Sequence, residues 1–136
     1  MGIYLAGPIL NCQDAQCNDW RDYVTKQVEN TDLAMRFRVL NPMDRDYRLR
    51  YNDSSVVPEV IQLDKRDINN SDVLFANIIQ YSAGTSMEVL YAWERDKVVV
   101  CVVPRDTTLS PWIVYHSTKL VYSLDEGIEW ISKFVR

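Results

Sequence analysis

The stretch Gly84-Thr85-Ser86-Met87-Glu88-Val89-Leu90-Tyr91-Ala92-Trp93 sets one carboxylate inside the most apolar helical segment of the chain. From Ser86 to Trp93 only Ser86 and Glu88 interrupt the apolar run, so the segment reads as a helix buried on most sides. Thr85 is a capping type and Gly84 permits a tight turn before it, which puts Glu88 in the first helical turn. Three and four places on stand Tyr91 and Ala92, neither basic, so no neighbour in sequence pairs with the acid. In a first turn the helix dipole and the free amides keep a carboxylate ionised where water is scarce, as a nucleophile requires. A capping box of Thr85 and Glu88 accounts for the same spacing without chemistry, and both readings stand at this point.

A second acid is misplaced in the same way. Ser55 and Pro58 signal a helix start, and Val57, Val60, Ile61, Asp64 and Ile68 fall on one stripe of that helix. A carboxylate among apolar positions needs a partner or a task, whereas Asp67 and Asp72 read as a solvated face and a turn residue. Carboxylates are also what the composition leaves. Three cysteines, Cys12, Cys17 and Cys101, without a Cys-x-x-Cys pair, and the single His116, argue against a metal site or a disulfide framework. His116 has no nucleophile motif to serve as a protease base. The net charge of -4 without a basic block argues against a nucleic acid polymer as partner. Met1 to Tyr4 carry neither a basic leader nor a long apolar run, so neither a signal peptide nor a membrane span is expected and the setting is read as cytoplasmic.

The elements that must position these acids alternate. Ile3 to Ala6 is a short apolar run ended by Gly7-Pro8, and Phe37 to Leu40 a second one ended by Asn41-Pro42. Between them Trp20, Val24 and Val28 recur every four residues from Asp14 to Val28, with Asp19, Arg21, Asp22 and Lys26 on the other faces: an amphipathic helix. Residues 44 to 55 have no period and mixed charge, so they read as a long functional loop, a lid or a subunit contact. Val73 to Ile78 and Val98 to Val103 are nearly continuous apolar runs, expected of central parallel strands. A loop with Pro111-Trp112 and a weak strand at Leu120 to Tyr122 precede a last helix, capped by Ser123 with Glu126 and striped by Leu124, Ile128, Ile131 and Val135. At 136 residues, 47% hydrophobic and 25% charged, the chain is expected to form one domain over 1-136. The alternation predicts a doubly wound α/β fold, Rossmann- or flavodoxin-like, with a five-stranded parallel sheet and helices on both faces. Ligands in such folds bind beyond the carboxyl ends of the strands, where Gly7-Pro8, the Asp64 region and Ser82 to Glu88 should open. Neither Gly-x-Gly-x-x-Gly nor a Walker lysine is present.

Three pieces, Ile3-Tyr4-Leu5-Ala6-Gly7-Pro8, then Asp64 with Ser71-Asp72-Val73-Leu74-Phe75-Ala76-Asn77, then Gly84-Thr85-Ser86-Met87-Glu88, together resemble the nucleoside 2-deoxyribosyltransferase family and its relatives that hydrolyse 2'-deoxynucleoside 5'-monophosphates. The resemblance implies that Glu88 attacks the anomeric carbon to give a covalent glycosyl-enzyme, that Tyr4 holds Glu88 by a hydrogen bond, and that Asp64 works beside it on the sugar and the departing base. It places Asn77 and Ser82 where the family lines its sugar site, with Gly7, Pro8, Gly84, Ser86, Trp112 and His116 as further substrate-binding residues. It also implies a homodimer or higher oligomer in which Trp112, Tyr115, His116 and Ser117 act in a neighbouring pocket. The implied partners are a nucleoside or nucleotide and a nucleobase, and no metal or cofactor is required. Two departures pull apart. Ser82 stands where transferases carry a second aspartate and looks more like the hydrolases, yet Pro8 and Leu10 stand where those place phosphate ligands. Arg21, Arg45, Arg48 or Arg50 are the candidates to replace them. The primary reading is transfer of a deoxyribosyl group to another base. The alternatives are hydrolysis of a nucleoside 5'-monophosphate and a non-catalytic nucleotide sensor.

Overall fold

Runs of Val, Ile, Leu and Phe too apolar to face water on either side form the middle of the sheet in the computed structural model, which describes residues 1-136. The strands are β1 (Gly2–Ala6), β2 (Arg38–Leu40), β3 (Val73–Asn77), β4 (Val98–Val102) and β5 (Lys119–Val121). All pair in parallel in the order β2-β1-β3-β4-β5. Ile3 lies opposite Val73 and Val73 opposite Val98, so the register stacks β-branched side chains across the three central strands. The helices are α1 (Asp14–Glu29), α2 (Val56–Asn69), α3 (Ala83–Trp93), α4 (Pro111–Tyr115) and α5 (Leu124–Phe134).

Strand alternation divides the core into two layers. Ile3, Leu5, Val73, Phe75, Val100 and Val102 meet Trp20, Val24 and Val28 of α1 and Ile131 of α5. Tyr4, Ala6, Leu74, Ala76, Val99 and Cys101 meet Ile68 of α2, Val89 and Ala92 of α3 and Ile113 of α4. This is the expected doubly wound α/β fold. The strand order reverses between β1 and β3, so the crevice beyond their carboxyl ends is the switch point at which such sheets place ligands. No helix is long and apolar enough to cross a membrane.

Several local expectations give way. Arg21, expected on an outer face of α1, is fully buried: it donates to the carbonyls of Cys17, Gly7 and Leu5. On α2 the stripe is rotated. Val57 and Ile61 are exposed while Val56 and Asp67 are buried, because Arg45 supplies Asp67 with a partner at 2.7 Å and lets that face turn inward. The segment after Ser110 is not a loop but α4, begun by Ser110 as cap and Pro111 in its first turn. The stretch 44 to 55 begins at the end of a 3-10 turn, Pro42–Asp44, holds a second one, Arg48–Arg50, and is otherwise irregular.

Candidate active site

The largest correction concerns α3, where Ser82 rather than Thr85 is the N-cap. Its backbone is extended and its hydroxyl accepts from the Thr85 amide at 3.2 Å and from the Thr85 hydroxyl at 3.0 Å. Ser86 returns a bond to the Ser82 carbonyl at 3.0 Å. The helix therefore begins at Ala83, three residues before the sequence-based start, and Glu88 lies in the second turn, beyond the free amides. The Thr85/Glu88 capping box does not exist, and Gly84 sits exposed within the first turn, with open space around it and no left-handed backbone. The helix is also less covered than its composition suggests: Thr85, Val89 and Ala92 are buried, but Met87 is 71% exposed.

That shift aims Glu88 at β1. The Tyr4 hydroxyl, fully buried, donates to Glu88 Oε2 at 2.5 Å. Burial, and then the negative charge of Glu88, raise Tyr4 well above the ordinary tyrosine range, so it stays a proton donor. Glu88 keeps some solvent contact as a residue, yet the atoms crowding its carboxyl remove enough water to push it up to about 8. The Tyr4 bond works against this burial and the charge of Asp64 adds to it. Glu88 lies beyond the free amides of the helix terminus, so the terminus does not offset its burial: desolvation outweighs the Tyr4 bond and the charge of Arg21 and raises the proton affinity of the carboxyl.

Asp64 of α2 is the second carboxyl of the site and is likewise raised, by burial first and against the pull of Arg45. Arg45 Nη2 meets Asp64 Oδ1 at 3.2 Å and Arg45 Nη1 meets Asp67 Oδ2 at 2.7 Å. Tyr51 closes this side; burial, then Asp64 and Asp46, raise its hydroxyl above the ordinary range. Sequence reasoning missed Asp67 and Tyr51 and named Arg45 only as one of four candidates to replace the missing phosphate ligands. The available signal was the i, i+3 spacing of Asp64 and Asp67, which puts two carboxylates on one helical face and calls for a cation.

The remaining expected residues divide. Gly7 and Pro8 are buried just beyond β1, with the Gly7 carbonyl held by Arg21 at 3.0 Å. Asn77 is buried at the end of β3, but alternation puts it on the face of Val73 and Phe75, away from Tyr4. Ser82, Ser86, Trp112 and His116 line a groove of about 530 Å³ between α3 and the segment 104 to 116; Glu88, Tyr4 and Asp64 are not among its walls. Trp112 stacks on His116 with ring centroids 5.8 Å apart, and the His116 Nδ1 proton points to the Trp112 carbonyl at 2.7 Å. Of the expected residues, then, Tyr4, Asp64 and Glu88 are together, while Trp112 and His116 stand on the other flank of α3. No three His, Cys, Asp or Glu side chains converge to hold a metal ion.

A buried tyrosine gripping a desolvated glutamate beside a second acid, at the switch point of this sheet, is a setting for attack on an electrophilic carbon. The profile of the family described as "Nucleoside 2-deoxyribosyltransferase like" matches residues 1–105. The chain belongs to this family. Among solved structures, the 2-deoxyribosyltransferase of the psychrotolerant bacterium Bacillus psychrosaccharolyticus is similar, with a TM-score of 0.72 at 19% identity over 93% of this chain and 89% of that one. The 2-desoxiribosyltransferase from Leishmania mexicana gives 0.71 at 15% identity over 99% of each chain. The CMP N-glycosidase of Clostridium botulinum gives 0.61 at 11%, over 98% of this chain and 100% of that one. At such identities these likenesses establish the shared fold. None of the curated proteins is a significant sequence match. For a deoxyribosyltransferase-like chain, a glycosyl-transferring or N-glycosidic activity on nucleosides or nucleotides is the general expectation.

Proposed function

We propose that the protein cleaves the N-glycosidic bond of a 2'-deoxynucleoside through a covalent glycosyl-Glu88 intermediate and passes the deoxyribosyl group to a second nucleobase. The observation that carries this reading is the 2.5 Å bond from Tyr4 to Glu88, which fixes one carboxyl oxygen and leaves the other free to attack. Glu88 reacts in its ionised form, having given up its proton to solvent before substrate seals the site, and the bond from the anomeric carbon to the base breaks through an oxocarbenium-like state stabilised by that carboxylate beneath the ring. The C1'-N electron pair leaves with the base. Asp64, raised by burial, gives that base a proton and takes one back from the incoming base. The incoming base then attacks C1', the new C-N bond forms, and Glu88 leaves as carboxylate. Tyr4 holds its proton throughout and steadies whichever charge Glu88 carries.

The arginines favour a nucleoside over a nucleotide. Arg21 is buried on three carbonyls and Arg45 bridges two aspartates. Arg48 is paired with Asp46 and Asp14, both at 2.7 Å. Three of the four arginines that could replace the missing phosphate ligands are thus already engaged, Arg45 and Arg48 by carboxylates and Arg21 by backbone carbonyls.

The same reading includes an assembly of at least two copies, supported by the exposure of Met87, Trp112 and Tyr115 beside the groove along α3.

The test is incubation with paired deoxynucleosides and second bases, and with the matching 5'-monophosphates, followed by chromatography. Base exchange on the nucleosides, an adduct on the Glu88 peptide from a slow 2'-fluoro substrate, and loss of several orders of magnitude in Glu88→Ala are expected. Exchange by wild type with no adduct and an undiminished Glu88→Ala would overturn the intermediate. Release of free base from monophosphates alone would replace the reading by the hydrolase.

A further inference from the structure

We propose that Arg45 is a positioning residue for the reaction: by bridging Asp64 and Asp67 it fixes one oxygen of Asp64 and presents the other to the leaving base. This rests on the proposed glycosyl transfer.

The arrangement begins with the turn after β2. Asn41 Oδ1 accepts from the Met43 amide at 2.9 Å, and Pro42 starts a 3-10 turn, Pro42–Asp44, whose Pro42 carbonyl accepts from the Arg45 amide at 3.1 Å. The backbone of Arg45 is thereby tied to the end of β2, the strand next to β1. On α2, Asp64 and Asp67 are three residues apart on one face. The guanidinium is planar and its two outer nitrogens diverge, so one arginine can grip two carboxylates where an ammonium grips one. It does so here: Nη1 goes to Asp67 and Nη2 to Asp64 Oδ1. The second oxygen of Asp67 takes Arg66 Nη2 at 3.3 Å. The Asp64 side chain is 22% exposed and that of Asp67 is 8%. Asp67 is therefore the buried anchor, and Asp64 the member turned toward solvent and substrate.

Without Arg45 nothing with a positive charge contacts Asp64. The groups that act on it are Glu88 from α3, Tyr4 from β1, Tyr51 from the irregular segment before α2, Asp67 on its own helix and the more distant Arg21 of α1. All but Arg21 are neutral or negative. Removing the guanidinium therefore does two separable things: it frees the rotamer of Asp64, and it moves the proton affinity of Asp64 upward, because the guanidinium is the largest influence that lowers it.

The experiment compares Arg45→Gln, Arg45→Lys and Asp67→Asn with wild type. It measures kcat and KM for base exchange against pH and follows the Asp64 carboxyl by carbon NMR titration. Arg45→Gln is expected to lose kcat by on the order of 10- to 100-fold with little change in KM, since misplacement of a reacting group is felt in the transition state. The limb of its pH profile that belongs to Asp64 should move to higher pH. Arg45→Lys restores the charge but not the bridge, so that limb should return while most of the kcat loss stays. Asp67→Asn leaves Arg45 on Asp64 and should cost less than Arg45→Gln. Unchanged kcat and an unmoved Asp64 limb in Arg45→Gln, or a kcat loss with a fallen thermal midpoint and that limb unmoved, overturn the inference and leave Arg45 a structural residue only. If wild type exchanges no base at all, the proposed function fails instead. The Arg45 inference then stands or falls on whether the Asp64 titration midpoint rises in Arg45→Gln.

Discussion

Glu88 is held where its charge is costly, and that cost is measurable apart from any substrate. Its carboxyl is pushed from 4.5 to about 8 chiefly by burial, so ionisation is harder in the folded chain than in the unfolded one. A raised folded value means that stability is fully present below the unfolded pKa and is lost as pH rises through the folded one, here between about 4.5 and 8. Glu88→Gln removes the ionisation and keeps the shape. Its thermal midpoint is therefore expected to match wild type closely near pH 5 and to exceed it by several degrees at pH 8.5. An equal difference at both pH values would show that the carboxyl is not desolvated. Glu88 and Asp64 were legible in the sequence because each is an acid out of keeping with its apolar neighbours. Arg45 and Asp67 were not. Their partnership spans 22 residues, and a period-based reading treats any charged residue as solvated until its counter-ion is located. The upward shift of the Glu88 carboxyl was not legible for a related reason: it depends on how many atoms crowd the carboxyl, which spacing along one helix does not reveal.

At the scale of elements, the end of β1 carries the site and depends on a contact with α1. A Cβ added at Gly7 would lie 2.6 Å from Trp20 Cζ2 and 3.3 Å from Arg21 Nη2. Gly7→Ala must displace the indole or lift the turn that follows Tyr4. The expected cost is about 1 to 3 kcal/mol of stability, as for other forced overpacking, together with lowered activity through Tyr4. Trp20→Phe removes the atom in question, so in the double variant part of the Gly7→Ala cost should be recovered; strictly additive losses in denaturant melts would count against the contact. The strands and long helices were legible because their apolar periods are strong. What escaped was local: α4 is only five residues long, and Ser82, Thr85 and Ser86 are all capping types, so the start of α3 was placed three residues late. The face of α2 was misjudged because Arg45 makes a buried Asp67 tolerable.

Tyr4, Asp64 and Glu88 meet on one flank of α3, and a groove edged by exposed aromatic side chains runs along the other. Tyr81 is 88% exposed, Trp112 68% and Tyr115 71%, and Tyr81, Met87 and Trp112 line the groove between α3 and α4. Single exposed aromatics are ordinary, but several around one apolar groove are what the proposed assembly would cover. The doubly wound topology was legible from the alternation of elements. This asymmetry between the two flanks of α3 was not, since the composition of that helix suggests burial all round and only the placement of α4 and of residues 104 to 110 leaves one side open. The proposed assembly of two or more copies supplies the cover. Trp112→Asp would put a charge at the centre of that surface while touching none of Tyr4, Asp64 or Glu88. Sedimentation is expected to show wild type as a dimer or larger and Trp112→Asp shifted toward monomer, with the thermal midpoint of the dilute protein little changed. A wild type that sediments as a monomer at assay concentrations and exchanges bases at full rate would remove the assembly from the proposal, and leave the groove without an assigned occupant.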